Sequence, residues 1–122
     1  MRRRDASASL PRESVLKIDK DCLVDAKLNR EYVHTIIDIC REHGARVLWI
    51  KTSITAHGRH FYIKIDPPVD AQTAYRLQYL LGDDAKRVDF NRARIESGLP
   101  RWNKLFESLR TRLRTIYRLV SS

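Results

Sequence analysis

The sequence predicts an α+β domain with a β-α-β-β-α core, and three observations point there. Residues 15–21 and 59–65 alternate as strands do, and residues 46–52 form an apolar run of strand length. Helical spacing occupies the stretches at 29–43 and 70–81. Breakers fall at the joints, as Gly44, Gly58, Pro67-Pro68 and Gly82. A chain of 122 residues with 43% hydrophobic composition is long and apolar enough for one domain with its own core.

Each element has its own justification. Residues 1–13, with Ser7, Ser9 and Pro11 and no periodicity, are expected to form a flexible basic arm. In 15–21, Leu16 and Ile18 point one way and Lys17, Asp19 and Asp21 the other. Asn29 is expected to cap a helix running to about His43, with Val33, Ile36, Ile37 and Cys40 as its stripe and Gly44 as its stop. The run 46–52 is apolar on both faces, which suits a central or covered strand. After a turn at 54–58, strand 59–65 returns and Pro67-Pro68 is expected to end it.

Asp70 then caps a helix to Leu81, with Ala74, Leu77 and Leu81 on one face. Asp83 or Asp84 caps another that ends near Gly98. Beyond Pro100, the residues Trp102, Leu105, Phe106, Leu109, Leu113, Ile116 and Val120 recur at helical spacing and predict a last helix over about 101–119. The organisation expected is an arm (1–13), a core (14–98) and a basic amphipathic C-terminal helix (99–122) packed on or next to it. This order closes most simply as a ferredoxin-like, RRM-like sheet with its helices on one face. The fourth strand is either a short one at Val88-Asp89-Phe90 or missing.

Charge is distributed unevenly. The net charge is +9, of which residues 1–13 hold +2, residues 14–85 hold none and residues 86–122 hold +7. A one-sided basic field favours a polyanionic partner, DNA or RNA in particular, and a solvated helix face is the plainer alternative. Cys22 and Cys40 have no metal-ligand or redox spacing and read as two thiols in a reducing cytoplasm, with a structural disulfide as the lesser alternative. No apolar run reaches the ~20 residues of a membrane span, and no apolar segment follows Met1-Arg2-Arg3-Arg4. The expectation is a cytoplasmic chain with no membrane partner.

The strand face turned from the helices carries Asp19 and Asp21 beside His60. Paired hard carboxylates suit Mg²⁺ or Mn²⁺. The plainer reading is two polar residues at a strand end, paired with nearby lysines. Tyr62 on the same face suits base stacking. Lys51, Arg59, Lys64, Arg87, Arg92, Arg94, Arg101, Lys104, Arg110, Arg112, Arg114 and Arg118 are the candidate contacts to a nucleic-acid backbone. His57-x-x-His60 lacks a third zinc ligand.

Two motifs resemble a family. Val15-Leu16-Lys17-Ile18-Asp19-Lys20-Asp21 resembles the hydrophobic-run-plus-D-x-D motif of archaeo-eukaryotic-type primases and primase-polymerases. Residues 51–63, a Ser/Thr-containing turn with Gly58 leading to His60 on the next strand, are similar to their second motif. The resemblance covers residues 14–66 and implies a palm-like core, metal on Asp19 and Asp21, and a nucleotide phosphate at His60, so that these three residues would be catalytic. It also implies a third acid, for which Asp66 and Asp89 are the candidates. Residues 77–92 resemble short uncharacterised proteins of viruses and other mobile elements, which implies a replication setting.

The resulting expectation is a small nucleic-acid-binding protein with a primase-like palm core, acting in replication of a virus, plasmid or other mobile element. The alternatives are an active metal-dependent nucleotidyltransferase, and a non-catalytic interaction module that uses its C-terminal helix on a replication protein or a second copy.

Overall fold

The computed structural model of the chain describes residues 10–20, 26–54, 58–105 and 112–118, of which 26–29 and 112–118 are described as backbone only. Seven elements follow in order: β1 (Glu13–Lys20), α1 (Ala26–Glu42), β2 (Arg46–Ile54), β3 (Arg59–Val69), α2 (Ala71–Leu80), α3 (Ala85–Glu96) and β4 (Arg112–Arg118). β1, β3 and β2 form an antiparallel sheet with β3 in the middle, and β4 pairs antiparallel on the far side of β2, giving the order β1-β3-β2-β4.

The core forms where the alternating apolar residues of the strands meet the helix stripes. Leu16 and Ile18 of β1, Ile50 of β2, and Phe61, Ile63 and Ile65 of β3 are fully buried against Val33, Ile36 and Cys40 of α1 and Ala74 and Leu77 of α2. Tyr32 meets Phe61 edge-on, with ring centroids 5.0 Å apart, and its hydroxyl donates to the Leu81 carbonyl at 2.6 Å. That bond ties α1 to the end of α2. Burial pushes the Cys40 thiol up to about 11.

Local signals place most boundaries. Asp70 accepts from the Thr73 N–H at 2.7 Å and caps α2, and Asp84 accepts from the Arg87 N–H at 3.2 Å and caps α3. Gly44, Gly82 and Gly98 follow helix ends with φ of 79°, 84° and 73°, a conformation that costs other residues about 1 kcal/mol or more.

Several expectations are corrected. α1 begins at Ala26, so Asn29 lies inside the helix and is not its cap. β3 runs through Pro67-Pro68 to Val69. The prolines are tolerated because the β1 register jumps there, from Val15↔Lys64 to Glu13↔Val69, so no ladder bond needs their absent N–H. Val88-Asp89-Phe90 lies within α3 and forms no strand.

The last helix is the largest correction. Residues 101–105 are irregular and 112–118 are strand β4; residues 106–111 lie outside those described. The segment Arg-Leu-Arg-Thr-Ile-Tyr-Arg also alternates and is rich in β-formers, and the open edge of β2 offers it a ladder of hydrogen bonds. Within 99–105, Trp102 is fully buried in the core and Asn103 is buried, while Leu99, Pro100, Arg101 and Lys104 are exposed. The expected arm (1–13) lies outside the described residues up to Ser9, and its last residue, Glu13, opens β1.

A ferredoxin-like sheet sets its last strand beside β1. Here β4 takes the opposite edge, and side chains close β1 instead. The Lys17 N–H donates to Gln78 Oε1 at 3.0 Å, and the Asp19 N–H to Asp83 Oδ1 at 2.8 Å. The Asp19 carbonyl accepts from the Asp84 N–H at 3.0 Å, and the Lys17 carbonyl from Arg87 Nη2 at 2.6 Å. Every one of these edge groups is thereby satisfied without a neighbouring strand.

Candidate nucleic-acid interface

α1 and α2 are the helices that pack on the sheet, so alternation turns a second set of side chains to the other face. Register arranges them in three rows. Lys17, Tyr62 and Lys51 lie side by side across β1, β3 and β2. Val15, Lys64 and Trp49 form the next row, and Asp19, His60 and Ser53 the row toward the β2–β3 turn. On β4, Ile116 occupies the position opposite Lys51 and Arg118 that opposite Trp49.

In the first two rows the aromatic rings and the cations are interleaved. Tyr62 and Trp49 are half-buried, and Lys51 Nζ stands 4.4 Å from the Trp49 ring centroid. Lys64 Nζ donates to Ser14 Oγ at 3.0 Å, and Lys17 Nζ to the Asn103 carbonyl at 3.0 Å. Each neutral partner leaves the ammonium its charge and further donors.

Trp49 is the functional candidate the sequence reading missed. A bulge between Val47 and Trp49 sets Leu48 out of register. It lets Val47 face the core opposite Ile65 while Trp49 faces outward, so counting alternate residues hides the site. The remaining signal is an aromatic two residues from a lysine on one strand.

The third row brings together two of the three residues expected to be catalytic. Asp19 and His60 are register partners, with His60 Nε2 3.7 Å from Asp19 Oδ1. His60 and Ser53 are buried, and Asp19 is one-third exposed. Asp21 lies outside the described residues.

Neither candidate third acid joins them. Asp66 is at the far end of β3, 3.4 Å from Arg46, and Asp89 pairs with Arg92 at 3.1 Å on α3. The acid that does approach is Asp83. Its Oδ1 accepts from the Asp19 and Asp84 N–H groups, and both oxygens face Arg87 Nε at 3.1 Å, so the carboxylate is engaged in holding the β1 edge and Arg87. Burial raises its pKa, and Arg87 opposes that rise. Among the described residues no group of three or more His, Cys, Asp or Glu side chains is placed to hold a metal ion.

The remaining cations divide by location. Arg87 is a correction: its side chain is 10% exposed and is held by Asp83, the Lys17 and Lys104 carbonyls, and Asn103 Oδ1. A guanidinium so engaged is a structural hub, not a phosphate contact. Arg94 is half-buried and turned to Asn91 Oδ1, the Trp102 carbonyl and the Phe90 ring. Arg92 is exposed on α3, outside the sheet rows. Arg59 is half-buried at the start of β3.

Arg101 and Lys104 are exposed next to Lys17. On β4, Arg112 stands opposite Ile54, and Arg114 falls where the pairing with β2 is irregular. Arg110 lies outside the described residues. No family model matches the chain, and no curated protein or solved structure matches it. No helix among the described residues is long and apolar enough to cross a membrane.

Proposed function

We propose that the protein binds single-stranded nucleic acid on the sheet face turned from α1 and α2, without catalysing a reaction on it, in the replication setting implied by the resemblance of residues 77–92 to virus and mobile-element proteins. The observation that carries this reading is Tyr62 set between Lys17 and Lys51 in cross-strand register, with Trp49 beside Lys64 in the next row. Stacked bases gain ~1–3 kcal/mol each on such rings, and ammonium groups one strand spacing away neutralise the flanking phosphates. A broad sheet face does not enter the major groove of a duplex, but it accepts unstacked bases. The net charge of +9 adds long-range attraction for a polyanion.

Fluorescence anisotropy with labelled DNA and RNA oligonucleotides of about 16 nucleotides, single-stranded and duplex, across a salt series tests this. Salt-sensitive binding that prefers single strands and falls at least about fivefold in Tyr62→Ala is the expected result. No binding at low salt, or binding indifferent to Tyr62 and Trp49, overturns it.

The Asp19–His60 juxtaposition favours a second reading, a metal-dependent nucleotidyltransferase. Mg²⁺ or Mn²⁺ would supply charge neutralisation at nucleotide phosphates there. Nucleotide incorporation that requires Mn²⁺ and is lost in a folded Asp19→Asn variant would establish this reading in place of the first.

A further inference from the structure

Where the Lys17–Tyr62–Lys51 row reaches the edge of the sheet it runs into a cavity of about 450 Å³, lined by Glu13, Lys17, Pro100, Arg101, Asn103 and Lys104. Three cations face one carboxylate in that space. Lys17 belongs to both places: it flanks Tyr62 on the sheet and lines the cavity. Glu13 is the opposing charge, and burial raises its pKa against the pull of Lys17 and the Trp102 indole.

The cavity wall is held firmly. Asn103 and Gln78 exchange side-chain hydrogen bonds of 2.7 and 3.1 Å, both amides being buried. Arg87 Nη2 donates to Asn103 Oδ1 at 2.9 Å, and its Nη1 donates to the Lys104 carbonyl. The backbone carrying Arg101 and Lys104 is thus pinned to α2, α3 and β1, while the two side chains stay exposed. Pinning the backbone removes an ordering cost that a mobile basic loop would pay on binding an anion.

We propose that this cavity is a subsite for a terminal phosphate monoester of the bound strand. Lys17 is the last member of the row on β1, and its Nζ donates to the Asn103 carbonyl at the cavity, so a strand crossing the sheet toward β1 arrives there. A terminal monoester carries about −1.5 to −2 charge near neutral pH, against −1 for an internal phosphodiester. Two net positive charges at a preorganised site therefore select the terminus. This inference rests on the proposal that the sheet face binds the strand.

The test compares one single-stranded oligonucleotide bearing a 5′-phosphate, a 3′-phosphate or neither, by anisotropy at fixed salt. The expected result is about tenfold tighter binding of one phosphorylated form. That preference should disappear in Arg101→Gln and in Lys104→Gln, with the phosphorylated form losing more affinity than the unphosphorylated one, which loses only the general attraction of one cation. Both positions are exposed, and Arg92→Gln is the control that keeps the preference.

Equal affinity for the three oligonucleotides overturns the subsite while leaving the sheet-face reading intact. A preference that survives both substitutions does the same. Absence of binding to all three removes the sheet-face reading and the subsite with it. Competition by inorganic phosphate as strong as that by a phosphorylated dinucleotide would mark a general anion site and also overturn the assignment.

Discussion

Arg87 donates from Nη2 to the main-chain carbonyl of Lys17 at 2.6 Å, so a helix side chain occupies the place of a neighbouring strand. With Gln78 and Asp83 on the adjacent N–H groups, it closes an edge that would otherwise pair with another chain. The same guanidinium holds the wall of the cationic cavity. One residue therefore links the sheet edge, the α2–α3 junction and the segment carrying Arg101 and Lys104.

Arg87→Ala should cost about 3–5 kcal/mol, because Asp83 keeps a buried carboxylate with no counter-charge. Arg87→Lys should recover only part of this, since an ammonium cannot span four acceptors at the guanidinium's geometry. Urea denaturation of the three proteins checks the order. A cost below about 1 kcal/mol for alanine would show that the network is not structural.

Asp70 gives a pH-dependent contribution of definite sign. Its bonds from Thr73 hold its carboxyl below the ordinary value of 3.8. A group whose folded pKa is depressed stabilises the fold above its unfolded value, and that stabilisation is lost as pH falls through the folded value. Asp70→Ala should therefore cost about 1 kcal/mol near neutral pH, the usual cost of losing a cap. The difference from the parent should shrink as pH drops below 3.8, as followed by urea melts at several pH values.

Cys40 should be inert in the folded protein. It is fully buried, and its thiol is pushed up to about 11, so almost no thiolate exists near pH 8. Peptide mapping after iodoacetamide treatment should find Cys40 unmodified in buffer and fully modified in denaturant. Rapid native labelling at Cys40 would contradict its place between α1 and the sheet.

Lys51 and Tyr62 should fail differently on nucleic acid. Lys51→Ala should lower the slope of log K against log salt by about 0.7, the value for one phosphate on a single strand. Tyr62→Ala should leave the slope unchanged and cost ~1–3 kcal/mol at every salt concentration, because stacking releases no counterions. The anisotropy salt series separates the two, and parallel losses in slope would argue against a stacking role for Tyr62.

Much of this molecule was legible locally. Alternation in Val15–Ile18 and Phe61–Ile65, the stripe Val33–Ile36–Cys40, the Asp70 cap and the glycine at 82 each express a period or a backbone requirement spanning a few residues. The adjacency of Asp19 and His60 needed, besides alternation, the expectation that the first and third strands are neighbours as in a ferredoxin-like sheet, and β1 does pair with β3. What the chain does with its edges did not follow from any local period. The 112–118 segment satisfies both a helical and a strand pattern, and the free edge of β2 selects the strand.

Arg87 and Arg92 look alike in sequence, yet one is a buried hub because Lys17, Asp83 and Asn103 converge on it, while the other remains on the surface. Trp49 reaches the outer face because of a bulge that strand pairing imposes. The sequence alone determined the elements from β1 to α3, because their periods are short-range, whereas β4 took its form from the edge it pairs with. The tertiary structure alone decided edge partners and the fate of individual cations, because those depend on hydrogen-bond satisfaction between groups as many as 86 residues apart.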